Sequence, residues 1–401
     1  MELQLSSRIQ NCIRFVGKPP TPDSAYYSGN AGTLTDPGTT ISCRLPQNGV
    51  NDRLSVTWGT IICYLRMAHY EGLKSDQLPP LPKKKLPRIV LYNLGQVLAV
   101  PIKRLFRRKP IVDGWTIKME IGVNCFRYLL ENDMKISRDI EITITKTAFL
   151  VTGLVMFPKQ GTIPLFYTFM AEDFNVRKRT QKNILVFALE YKRAPEAKFP
   201  SQIKESVAAF KYLRETFPNR KLIVLGESAG GNLVLSTILD LKQEYSKTSD
   251  DVDVKNGPYP DIAIAISPWV ELVANLDDEY DKRNRESDFI TALQLVHFVR
   301  NYLPDPSRDT ANPFASPATG DFSKTCPILV HYGAEEFMTP EIDRFVERLR
   351  TQQSTDTKIV KENMAPHITP LISSWFGAIS QRGIDAIADF IISHVYKSDG
   401  Q

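Results

Sequence analysis

A chain of 401 residues, 42% hydrophobic and 24% charged, has the composition of a globular protein long enough to bury a large core. Its net charge of +5 is too mild to argue for nucleic acid as a partner. Five scattered cysteines (Cys12, Cys43, Cys63, Cys125 and Cys326) form no Cys-x-x-Cys pair, so zinc, thioredoxin and disulfide-framework readings have no support. Reduced thiols or buried apolar residues are expected.

Residues 1–78 read as a poorly ordered N-terminal extension. Pro19-Pro20-Thr21-Pro22, the stretch from Ser28 to Thr40, and Pro46-Gln47-Asn48-Gly49 are turn and linker chemistry without sustained periodicity. Ser55 to Met67 is apolar enough for one short element. The first eight residues lack the apolar centre of a signal peptide. Pro79-Pro80-Leu81-Pro82 marks a boundary.

Residues 79–145 read as a basic and apolar helical segment. Between Gln77 and Val112 every charged residue is basic: Lys83, Lys84, Lys85, Arg88, Lys103, Arg104, Arg107, Arg108 and Lys109. The apolar run from Ile89 to Ile102 lies inside that bracket, interrupted by Asn93, Gln96 and Pro101. It is shorter than the roughly 18 apolar residues of a spanning helix. Two placements fit it: a helix lying in an anionic membrane surface through residues 83–109, or a helix covering the following domain with solvated lysines at its ends.

From residue 146 to 398 strand and helix signals alternate. The pattern predicts an α/β fold, a doubly wound and mostly parallel sheet with helices on both faces. Strands are expected at Ile184–Ala188, Leu222–Leu225, Ile262–Ile266, Ile328–Tyr332 and Lys358–Val360. Helices are expected at Ser201–Phe217, at Leu293–Tyr302, from Thr339 (the cap, with Pro340 first in the helix) to about Arg350, and at Gly383–Val395.

The strand from Leu222 runs into Gly226-Glu227-Ser228-Ala229-Gly230-Gly231-Asn232 and leaves as a small-residue helix. That is the setting of a nucleophile elbow, in which Ser228 sits exposed on a sharp strand-to-helix turn. A serine nucleophile needs a base, and the base needs an acid to orient it. Of the five histidines, His69 lies upstream, His297 and His394 lie in helices, and His331 lies inside a strand. His367 follows the last strand in a loop, where a base belongs if the chain order is serine, acid, histidine. The acid should leave the preceding strand, which offers Glu335 and Glu336. The third position after Gly333 favours Glu336.

In this order of motifs the chain resembles the hormone-sensitive-lipase-like branch of the α/β-hydrolases. The likeness is carried by Glu190-Tyr191-Lys192-Arg193-Ala194-Pro195-Glu196 with Phe199-Pro200, by the elbow, and by Ile266-Ser267-Pro268-Trp269. It continues through Ser287-Asp288-Phe289-Ile290-Thr291, Asn312-Pro313-Phe314-Ala315-Ser316-Pro317, Gly333 to Glu336, and His367. Within the branch, the stretch from Phe187 to Pro200 and the basic, apolar extension are most similar to the fungal steryl acetyl hydrolases. The resemblance implies a membrane-associated esterase of the endoplasmic reticulum that removes acetyl groups from sterols. The expected mechanism needs neither cofactor nor metal, and its substrate is a small apolar ester.

One departure bears on the chemistry. The branch carries a His-Gly-Gly-Gly motif upstream, whose N–H groups supply part of the oxyanion hole. Here that region reads Phe157-Pro158-Lys159-Gln160-Gly161, and Pro158 has no N–H to give. Ala229 is expected to supply one donor, and Gly161 is the candidate for a second. Losing one such donor costs about 10²–10³ in rate. Three accounts compete: a weakened enzyme, a non-catalytic lipid-binding relative, or a chain whose N-terminal part is not the native one. The unpatterned first 75 residues and the abrupt loss near residue 160 point to the last. A peptidase of the same fold is a further, weaker alternative.

Overall fold

Two sets of apolar residues alternate along the central strands, and each set has its own helices to cover it. The computed structural model describes residues 13–15, 86–107, 109–136 and 187–396, the last with gaps at 190, 193, 196, 247–257, 284–285 and 353–355. Four strands, β3 (Ile223–Glu227), β4 (Ile262–Ile266), β5 (Ile328–Gly333) and β6 (Thr357–Glu362), pair in that order, all parallel. The β3–β4 register sets Ile223 beside Ile262 and Glu227 beside Ile266.

Helices α3 (Ser201–Thr216), α4 (Ala229–Tyr245) and α6 (Thr339–Thr351) share one core cluster with Val224, Ala263, Ala265, Ile328 and Val330. On the other face α7 (Ala378–Ile391) packs Ile384, Ile387, Phe390 and Ile391 against Leu225, Ile262, Ile264, Ile266 and Leu329. Successive residues of β4 and β5 thus go to opposite cores, as the two-residue period of a strand requires. Burial on both faces explains why these strands read as continuous apolar runs. This is the α/β-hydrolase architecture expected from the sequence.

Helix α5 (Ala292–Tyr302) begins with a capping box in which Thr291 and Gln294 satisfy each other's backbone N–H groups. Several boundaries differ from the sequence-based expectation. Thr339 is the first residue of α6 and does not cap it; its hydroxyl donates to the Gly333 carbonyl at 2.8 Å. Pro340 is therefore second in the helix. Helix α7 starts at Ala378 and not at Gly383, which sits in its interior because a Cβ there would lie 2.5 Å from His331 Nε2. Beyond Ile391 it continues as a wider turn through Tyr396.

Upstream, β2 (Phe187–Leu189) pairs antiparallel with β1 (Ile13–Phe15), a contact that the poorly patterned extension did not foreshadow. The expected element at Ser55–Met67 and the strand residues 184–186 lie outside the described residues. Helices α1 (Leu86–Arg107) and α2 (Ile117–Ile136) form a hairpin. Its inner face is largely polar. Tyr92 stacks on Tyr128, Asn124 donates to Gln96 at 3.2 Å, and the buried Glu120 accepts from Arg107 at 2.8 Å and from Ile111 N at 3.0 Å. Trp115 Nε1, in the connecting turn, donates to the Met364 carbonyl at 2.8 Å and ties the hairpin to the loop after β6. Cys125 and Cys326 are free and buried, and burial pushes the Cys125 thiol up to about 12.

Candidate active site

Parallel strands leave their loops at one edge, and the polar residues of interest all follow the C-terminal ends of adjacent strands. Ser228 follows β3, Ser267 follows β4, Glu336 follows β5 and His367 follows β6. That edge is where open α/β sheets bind ligands.

Ser228 has φ +55° and ψ −120°, a conformation that costs a non-glycine residue about 1–3 kcal/mol. It is held there from both sides. Its N–H donates to the Ile266 carbonyl at 2.9 Å, and its carbonyl accepts from Trp269 N at 3.0 Å and Asn232 N at 3.1 Å. The helix must begin close to the next loop: a Cβ on Gly231 would lie 2.8 Å from Pro268 Cβ. Ala229 is the first residue of α4, so its N–H belongs to a first turn that has no intrahelical partners. Gly161, the second oxyanion candidate, lies outside the described residues.

Glu336 and His367 are almost wholly buried, at 0% and 1% exposure. His367 Nδ1 lies 3.1 Å from Glu336 Oε2, and the other carboxylate oxygen accepts from Ser267 Oγ at 2.6 Å and from Gly333 N. Oε1 is thus held by two donors, which leaves Oε2 to meet the ring. The approach of the two loops is too close for a side chain at Gly333, whose Cβ would sit 2.0 Å from the Ala365 carbonyl oxygen. His367 Nε2 is buried with no hydrogen-bond partner among the described residues. With Nδ1 engaged by a carboxylate, Nε2 is the nitrogen free to accept a proton.

Glu335 goes elsewhere. Its N–H donates to the Ala365 carbonyl at 3.0 Å, and it lines an open hollow of about 510 Å³ with Lys109, Asp113 and Asn363. Of the other histidines, His297 and His394 lie on helical segments and His331 inside β5; His69 is outside the described residues.

Three polar residues of the site were not singled out by sequence reasoning. Ser267 Oγ donates to Glu336 and accepts from Ile368 N at 2.9 Å, bridging acid loop and histidine loop. Asn232 Nδ2 donates to the Trp269 and Ala315 carbonyls, both at 2.8 Å, which joins the elbow to two other loops. Asp288 is fully buried, and burial raises its carboxyl above the usual range, opposed by His367 and by backbone donors. All three sit inside the sequence blocks that carried the resemblance, which was the available signal. No metal-binding group of histidines, cysteines and carboxylates occurs among the described residues.

Comparison with known proteins gives this geometry a family. Residues 168–370 match the alpha/beta hydrolase fold family, about half of the chain. An acetyl-hydrolase of Streptomyces hygroscopicus is 32% identical over 154 residues, which cover 38% of this chain and 47% of that protein. Steryl acetyl hydrolase 1 of Saccharomyces cerevisiae is 23% identical over 250 residues, covering 58% of this chain and 52% of the relative. The chain thus spans about half the length of these curated relatives. Among solved structures, an esterase of Pyrobaculum calidifontis superposes with a TM-score of 0.50 at 18% identity, over 69% of this chain and 92% of that one, and shares the fold. The chain belongs to the alpha/beta hydrolase fold family, in its hormone-sensitive-lipase-like branch.

Proposed function

We propose that the chain is a serine ester hydrolase that cleaves short acyl esters, acetyl esters foremost, of an apolar alcohol such as a sterol. The observation that carries the reading is the pairing of a buried His367 Nδ1 with Glu336 on the sheet edge that also carries a serine held at positive φ. The acetyl preference rests on the relatives named acetyl-hydrolase and steryl acetyl hydrolase.

In the proposed reaction Ser228 Oγ attacks the ester carbonyl while His367 Nε2 takes its proton. Glu336 holds the ring and stabilises the imidazolium. The N–H of Ala229 donates to the oxyanion of the tetrahedral intermediate. Collapse breaks the acyl–oxygen bond, and the alcohol leaves with the proton from His367. Water, deprotonated by the same nitrogen, then releases the acid from Ser228. No step calls for a cofactor.

A fluorophosphonate probe is expected to label the wild-type protein and to miss Ser228→Ala, and hydrolysis of p-nitrophenyl acetate is expected to disappear in His367→Ala. Equal labelling of both serine forms sinks the assignment. The missing glycine motif favours one rival, a lipid-binding relative without turnover, and that rival is eliminated by any hydrolysis that depends on His367.

The same reading assigns the chain to a membrane surface, that of the endoplasmic reticulum. Support comes from α1, which turns Leu91, Leu94, Leu98, Ile102, Leu105 and Phe106 to solvent with Lys103 and Lys109 beside them. Among the described residues no helix is long and apolar enough to cross a membrane, and the contact proposed for α1 is with the interface.

A further inference from the structure

Three consecutive residues far from the elbow in sequence converge on the acid and the base. Ser287 Oγ donates to the Glu335 carbonyl at 3.2 Å. The Asp288 carboxylate accepts from Phe337 N at 2.7 Å, the amide that follows the acid, and from His367 N at 3.3 Å, the base's own amide. The Phe289 ring meets the His367 ring edge-on, with centroids 5.8 Å apart and planes at 71°. From the far side, Arg127 of α2 donates to the Asp288 carbonyl, through Nε at 3.1 Å and again through Nη2.

Such a buried carboxylate is costly unless it is matched by donors. Every hydrogen bond that Asp288 accepts on its carboxylate comes from a backbone N–H: Phe289, Phe337 and His367. The carboxylate is therefore placed at the junction of two loops, held by backbone amides. The acid and base side chains sit 3.1 Å apart, and a shift of about 1 Å in such a pair costs about 10²-fold in rate. Ser267 and the Glu335–Ala365 backbone bond also join these two loops, and Asp288 adds a carboxylate that accepts from a backbone amide of each.

We propose that Ser287-Asp288-Phe289 is a brace that positions Glu336 and His367, with Asp288 as its central positioning residue. Asp288 touches neither substrate nor the reacting atoms; it acts by holding the amides on which the acid and base are mounted. The proposal rests on the esterase reading for its kinetic consequence but not for its structural one.

Asp288→Asn keeps one acceptor and removes the charge and the acceptor for Phe337 N. In that variant kcat for p-nitrophenyl acetate is expected to fall about 10- to 100-fold, the range typical of residues that orient active groups, while KM stays within about twofold. The second readout needs no turnover. The downfield proton resonance of His367 Nδ1–H, present in the wild type, is expected to shift upfield or broaden away in the folded variant. A folded Asp288→Asn protein with wild-type kcat and an unmoved imidazole resonance overturns the proposal. Where Asp288→Asn does not fold, Phe289→Leu decides: it removes the ring that meets His367 and keeps the apolar volume. A resonance broadened away by exchange there supports the brace, since loss of the ring current alone only displaces the line, and a resonance that stays sharp refutes it. If the wild-type protein itself turns over no ester, the esterase reading falls, and the resonance alone settles the brace.

Discussion

Helices α1 and α7 both carry apolar stripes and treat them in opposite ways. Helix α7 turns Ile384, Ile387, Phe390 and Ile391 onto the sheet. Helix α1 turns Tyr92, Gln96, Arg104 and Arg107 towards α2, with Val100 the one fully buried apolar residue on that face, and leaves Leu91, Leu98 and Phe106 in water at 67%, 69% and 81% exposure. Helical periodicity states that a helix has an apolar face; it does not say what covers that face. In α7 the cover is the parallel sheet. In α1 the polar bonds to Glu120, Asn124 and Tyr128 fix the rotation of the helix, and the apolar face is what remains outside. An exposed apolar stripe is the feature on which the proposed membrane contact rests. Both placements open in the sequence keep support: the hairpin reaches the catalytic domain through Trp115 and Arg127, while the apolar stripe of α1 faces away from it.

The sharpest contrast is energetic. Ile387→Ala removes buried methyl groups between α7 and three strands, and the expected loss is about 2–5 kcal/mol in urea unfolding. A loss below about 1 kcal/mol breaks the account of α7 as the helix that closes this face.

A smaller effect comes from beneath α7. His331 points to the same face, next to Gly383, and both of its ring nitrogens are buried without partners. Burial holds its pKa down to about 4, from an ordinary value of 6.5. Between those values the unfolded chain binds a proton that the folded chain does not, so this histidine's effect is to lower stability as pH falls from about 6.5 to about 4. Above 6.5 it has none. The urea midpoint of the wild type, compared with His331→Gln across that window, should fall more steeply with acid. Parallel curves refute the assignment of a neutral buried ring.

How much of this was legible in advance follows from what is local. The strands β3 to β6 announced themselves because burial on both faces makes an apolar run, and the elbow did so because a strand, two glycines and a helix are contiguous. The order of serine, acid and histidine left only His367 well placed. The last helix was read as beginning at Gly383, since a glycine reads as an end; the reason it lies inside α7 is the His331 ring, 52 positions away in the chain and absent from any local pattern. The same holds for Ser267 and Asp288. Their partners are backbone amides 101 and 79 residues distant, and no spacing rule points to them. Likewise, whether the stripe of α1 faces in or out was decided by Glu120, Asn124 and Tyr128 on another helix.

The smallest expected effect on stability is the most informative about α1. Leu98→Ala removes an exposed side chain, and surface substitutions of this kind stay within about 0.5 kcal/mol. If the apolar face served only the fold, nothing else would change. If it rests on a lipid surface, Leu98→Glu places a charge among apolar neighbours and opposite anionic headgroups, at no cost to the hairpin beneath. Co-sedimentation with phosphatidylserine vesicles is then expected to be strong for the wild type, reduced for Leu98→Ala and lost for Leu98→Glu, with unfolding midpoints unchanged. Added salt should weaken what binding there is, since Lys103 and Lys109 supply the attraction at long range. Wild-type protein that stays in the supernatant at low salt removes the membrane from the account of α1, and leaves its rotation explained by its contacts with α2 alone.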